Sequence, residues 1–139
     1  MAITNSNRTT VTFAGKEYEL EASIGAEKLY ADQFRDKAVA PYTGNLLEDM
    51  LQVWRDVNGT KEESAHGLPY QLIDMLWAMA RAAGSVKCSY DKFYKEIEHS
   101  TATYSEFAYL YRAICIELGD GVIFRLEEGQ DNAAEPDAE

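Results

Sequence analysis

The sequence predicts a mainly α fold, a helix-dominant α+β domain in which an N-terminal β-hairpin packs on a bundle of about five helices. Three observations carry that reading. Period-two alternation is confined to residues 10–21. Apolar residues then recur at i, i+3 and i+4 through residues 23–118. Gly, Pro and Asn separate the periodic stretches.

The hairpin comes first. Val11 and Phe13 point one way and Thr10 and Thr12 the other; after a turn, Tyr18 and Leu20 alternate with Glu17, Glu19 and Glu21. Gly15 supplies a positive φ, whereas Ala14 suits one poorly, so the turn type stays open. An isolated hairpin is marginal in water, so its apolar face must pack on the helices. Ser23 is the expected N-cap of a first helix ending near Phe34 or Arg35, with Ile24, Tyr30 and Phe34 as its stripe and Leu29 between. Residues 36–42, with Pro41, form a connector. Thr43 is the expected cap of a second helix carrying Leu46, Leu47, Met50, Leu51, Trp54 and Val57, stopped by Asn58 and Gly59.

Residues 58–67 read as a polar loop, and Pro69 occupies a first-helical position. The third helix runs to Gly84. Leu72, Ile73, Leu76, Trp77 and Ala80 form its apolar face, widened by Met75 and Met79, which predicts a central place in the bundle. Ser89 caps a short helix with Phe93 and Ile97. Thr101 or Thr103 opens a last long helix with Tyr104, Phe107, Tyr111, Ile114 and Leu118 on one face, ended by Gly119 and Gly121. Residues 121–126, GVIFRL, suit a strand or a docking segment. The expected organisation is a mobile arm over 1–8, a single domain over 9–126 and a disordered acidic tail over 127–139.

Charge narrows the function classes. The 139 residues carry a net charge of −11. The tail holds Glu127, Glu128, Asp131, Glu135, Asp137 and Glu139 without a Lys or Arg, leaving −5 for the remainder. Such a surface repels phosphate backbones, so nucleic-acid binding is not expected. No run reaches the roughly 18 apolar residues that span a bilayer, and MAITNSNRTT lacks the apolar core of a signal peptide, so a cytoplasmic location is expected. Cys88 and Cys115 read as reduced thiols.

Candidates for chemistry each have a plainer reading. His66 sits in the polar loop near Glu62 and Glu63, and His99 at a helix end; neither has Cys or His at ligand spacing. Cys115 lies inside an apolar helix, and Cys88, after Lys87, has no base in its motif. No nucleophile elbow, dinucleotide fingerprint or phosphate loop is present. The expectation is therefore a non-enzymatic chain without catalytic residues, metal or cofactor. Aromatic residues are the informative class. Tyr90, Tyr94, Tyr104, Tyr109 and Tyr111 cluster within 90–111. Core-edge packing accounts for part of the cluster, and a protein-binding face is the functional reading. Trp54, Tyr90, Tyr94, Tyr104 and Tyr109 are the candidate partner-binding residues.

The order of features resembles a family. T-V-T-F-A-G-K-E-Y-E-L is followed by L-Y-A-D-Q-F, L-L-E-D-M-L, L-I-D-M-L-W-A-M-A-R-A-A and Y-D-K-F-Y-K-E-I, then a polar-to-acidic tail. Over residues 10–118 this pattern resembles the tail assembly chaperones of long-tailed bacteriophages of Gram-positive hosts, most specifically at Asp74–Ala82. The resemblance implies a small, acidic, non-enzymatic protein. It would hold the tape measure protein soluble, assist tail-tube assembly with possible contact to the major tail protein, and act in the infected cell's cytoplasm without entering the virion. Some families also make a longer frameshifted product. Homo-oligomer formation suits helices that are apolar on most sides. The rival reading is a small acidic phage or bacterial regulatory adaptor or inhibitor, acting by protein–protein binding or by imitating DNA.

Overall fold

The computed structural model describes residues 7–58 and 70–119. Strands β1 (Arg8–Phe13) and β2 (Lys16–Glu21) pair antiparallel, with Val11 opposite Tyr18 and Thr9 opposite Leu20. Val11, Phe13, Tyr18 and Leu20 are all buried, as the alternation requires. The turn places both Ala14 (φ 53°) and Gly15 (φ 80°) in the left-handed region. Two positive φ values match the right-handed twist of a two-residue hairpin. Alanine adopts that conformation at a cost of about 1 kcal/mol. Arg8 opens β1, and Ala22 donates its N–H to the Asn7 carbonyl at 2.8 Å, so the hairpin begins inside the stretch expected to be a mobile arm.

Helix α1 (Ile24–Phe34) starts at Ser23, whose hydroxyl accepts from the Ala26 N–H at 3.3 Å. Tyr30 and Phe34 of the expected stripe are buried, but Ala26 completes it in place of Ile24, which is 85% exposed. At 3.6 residues per turn, Ile24 sits roughly 200° around the helix from Ala26 and faces away from the core. A 3₁₀ turn (Arg35–Lys37) and a connector follow.

Helix α2 (Leu46–Asn58) is capped by Asn45 instead of Thr43. The Asn45 Oδ1 accepts from the Glu48 N–H at 3.0 Å. Thr43 is diverted to the buried Asp49 carboxylate, to which its N–H donates at 2.8 Å and its hydroxyl at 3.1 Å. Asp49 also accepts from the Tyr30 hydroxyl (2.8 Å) and the Gly44 N–H (3.0 Å), which ties α1, the connector and α2 together. Gly44 (φ 87°) presses against α1's exit: a Cβ there would lie 2.4 Å from the Arg35 Cα.

Helix α3 (Gln71–Ala83) is central, packing on α1 and β2, with Leu72 and every residue from Met75 to Ala80 buried. It ends at Gly84 in the left-handed conformation (φ 87°). Ser85 then clips the hairpin. Its hydroxyl accepts from the Glu19 N–H at 3.1 Å and donates to the Glu19 carbonyl at 2.8 Å. Helix α4 (Tyr90–Ile97) is capped by Ser89 and buries Phe93. Helix α5 (Tyr104–Tyr111) begins with a full capping box, Thr103 with Glu106.

The expected single last helix changes character. Arg112–Glu117 is a π-helical segment, in which the Leu118 N–H reaches the Ala113 carbonyl five residues back. The wider turn lets Ala113, Ile114 and Cys115 all be buried in succession. Tyr104, expected on the buried face, stands in the first turn and is 73% exposed. The hairpin and helices share one core. Among the described residues, no helix is long and apolar enough to cross a membrane. Expectations for residues 1–6, the 59–67 loop, Pro69, the 121–126 segment and the acidic tail fall outside the described residues.

Candidate functional site

A cleft on the surface is built by residues of α3, α4 and α5 together with the hairpin turn. Trp77 Nε1 and the Arg81 guanidinium both donate to the Cys88 carbonyl, at 3.1 and 2.9 Å, and so fix the turn that delivers α4. Tyr90, the first residue of α4, is thereby wedged edge-on between Phe34 (centroids 4.9 Å apart) and Trp77 (5.7 Å). Its hydroxyl donates to Asp74 Oδ1 at 2.7 Å. Tyr94 follows one turn later, its ring 6.0 Å from that of Tyr90. The facing wall comes from α5. Phe107 stacks edge-on with Phe13 of the hairpin (5.0 Å) and with Tyr70 (6.3 Å).

Between these walls runs a cleft of about 570 Å³, with Ile73 and Ile97 along it and Asp74 and Glu98 as its carboxylates. A second cleft of about 440 Å³ lies on the other side of the Tyr90–Asp74 pair, edged by Phe34, Lys37 and residues 38–42. Tyr70, at the mouth of the first cleft, is 79% exposed. Such an edge on an otherwise acidic chain marks a surface suited to contact.

Asp74 sets the electrostatics. Burial pushes its carboxyl up to about 6 from the ordinary 3.8, and the Tyr90 hydrogen bond only partly offsets this. No Lys or Arg pairs with it among the described residues. The Tyr90 hydroxyl is itself pushed up, first by burial and then by Asp74. Burial has removed part of this carboxyl's water. The cleft thus offers aromatic faces and one partly desolvated negative charge, the two components that hold apolar and cationic groups.

The residues singled out from the sequence separate into groups. Tyr90 and Tyr94 come together in the cleft. Tyr104 and Tyr109 (60% exposed) both sit on α5 and do not line it. Trp54 is half-buried on α2, packed against the core. Asp74, Tyr70, Ile73, Ile97 and Phe107 were not anticipated as site residues. The available signal was Asp74 itself, a lone acid inside the apolar run Leu72–Ile73–Asp74–Met75–Leu76.

Among the described residues no three His, Cys, Asp or Glu converge as metal ligands. His99 is exposed, 3.3 Å from Glu98. Cys115 is buried, with its thiol pushed up by burial and directed at the Met50 carbonyl, 3.7 Å away. Cys88 is half-buried. His66, Glu62 and Glu63 lie outside the described residues. Comparison with protein-family models, curated proteins and solved structures finds no match to this chain.

Proposed function

We propose that this chain is a non-enzymatic assembly chaperone that holds another protein by its exposed aromatic surface, and specifically a phage tail assembly chaperone whose client is the tape measure protein. The observation that carries the reading is the cleft between α4 and α5, rimmed by Tyr70 and Tyr94 and edged by apolar side chains. A holding protein needs apolar surface for its client and net charge to keep the complex dispersed; the cleft supplies the first, and a net charge of −11 the second. The hairpin-plus-helices order and the Asp74–Ala82 wording supply the specific client class.

Co-expression tests it. The tape measure protein encoded beside this chain should move to the soluble fraction and co-purify with it. No gain in solubility together with no co-purification overturns the proposal. The reading also requires a major tail protein gene upstream and a very long tape measure gene downstream.

A further inference from the structure

Resting on that protein-binding reading, we infer that the cleft between α4 and α5 takes a basic side chain from its partner, arginine before lysine, with Asp74 as the residue that receives the charged head. Three observations converge on one occupant. The walls are rings and branched aliphatics, Tyr90, Tyr94, Ile73 and Ile97, which suit the alkyl stem of a long side chain. The carboxylates at hand are Asp74 and Glu98, and no Lys or Arg lines this cleft among the described residues, so its described lining is negative and complements a cation. Asp74 Oδ1 is held at 2.7 Å by Tyr90, while Oδ2 takes no side-chain hydrogen bond from the described residues.

A planar guanidinium uses all three features. It stacks on tyrosine faces, bonds a carboxylate through a fork of N–H donors and gives up water more readily than an ammonium. A metal ion is disfavoured, because no three ligating side chains converge among the described residues. An anionic partner would meet two carboxylates. The Tyr90 hydroxyl from α4 bonds the carboxyl and the Tyr30 hydroxyl from α1 is its electrostatic neighbour, while Glu98 shares the cleft lining and Lys37 lines the adjoining cleft on the other side of Asp74. Burial holds the Asp74 carboxyl near 6, so an incoming cation finds a carboxyl already stripped of part of its water.

The test uses the full chain and fluorescently labelled amphipathic peptides of about 18 residues, a length that suits a helix. The peptides are built from Ala, Leu and Gln and differ only at one central position: Arg, Lys or citrulline, a neutral isostere of Arg. At pH 8 the Arg peptide should bind about tenfold tighter than the citrulline peptide, with Lys between them. The advantage should shrink towards pH 5 as Asp74 protonates. Asp74→Asn should remove the Arg advantage while leaving citrulline-peptide affinity unchanged, which separates a charge contact from loss of fold. Equal binding of Arg and citrulline peptides, or an Arg advantage that survives Asp74→Asn, overturns this inference and leaves the protein-binding reading standing. If no peptide binds the cleft while the tape measure protein co-purifies, the inference fails alone. If neither binds, both fail.

Discussion

Replacing Asp74 by Asn should make the protein more stable at neutral pH, because the native carboxylate sits where its charge is penalised. The folded carboxyl titrates near 6 and the unfolded one near the ordinary 3.8. Between those values the folded state binds more protons than the unfolded state, so stability falls as pH rises through this window and levels off above about 6. A difference of about two pH units corresponds to about 3 kcal/mol at 1.36 kcal/mol per unit. Partial access to water from the cleft reduces that, and about 1–2 kcal/mol is the expected gain for Asp74→Asn at pH 8. The amide oxygen still accepts from Tyr90, so the hydrogen bond survives. At pH 4, where Asp74 is largely protonated, the two proteins should agree within about 0.5 kcal/mol. Urea unfolding followed by tryptophan fluorescence, repeated from pH 4 to pH 8, measures this directly, since the buried Trp77 reports on the core. All other titrating groups are common to both proteins and cancel in the difference. A variant less stable than the parent at pH 8, or a difference independent of pH, would refute the reasoning.

Other perturbations are equally specific. Asp49→Ala leaves the Tyr30 hydroxyl and the Thr43 and Gly44 N–H groups without their shared acceptor, and should cost about 3–5 kcal/mol in chemical unfolding; a loss below 1 kcal/mol contradicts the network. Gly44→Ala combines a positive φ with a contact of 2.4 Å to the Arg35 backbone, and should destabilise by more than about 2 kcal/mol in the same assay. Ala14→Gly relieves the left-handed strain of the hairpin turn and should raise stability by about 0.5 kcal/mol, seen as a small rise in Tm. Thr103→Ala removes the capping box of α5 and should cost about 1 kcal/mol.

Local chemistry made most of the fold legible. The alternation around Val11, Phe13, Tyr18 and Leu20 specified the hairpin and its buried face. Ser23, Ser89 and Thr103 marked helix starts, because a hydroxyl can satisfy a first-turn N–H wherever the helix then packs. What escaped were positions decided by competing polar partners and by packing. Thr43 looked like a cap, but Asp49 claims its hydroxyl and Asn45 takes the role. Ile24 looked like core, but the face it occupies meets solvent. The π-helical segment has no signature in hydrophobic spacing, since a broad apolar run fits either winding. The site follows the same division. The tyrosine cluster over 90–111 was visible, whereas the choice of Tyr90 and Tyr94 over Tyr104 and Tyr109 depends on how Tyr90 docks against Trp77 and Asp74 of α3. Asp74 was visible only as an acid misplaced in an apolar run, and its role comes from Tyr90, sixteen residues away.

The clip between Ser85 and Glu19 has a consequence for self-association. A two-stranded sheet leaves unpaired peptide groups along its outer edges, and these are templates for strands from neighbouring chains. On β2 the outward N–H and carbonyl of Glu19 are both taken by a single serine hydroxyl, in the middle of the strand. Glu17 stands exposed beside it, and Glu19, also exposed, is held by Arg8 of β1 at 2.8 Å. A second copy approaching this edge would have to break the clip before it could form a ladder. The protein thus carries a guard against runaway cross-chain pairing on β2, and any assembly it enters on that side must be built from side chains.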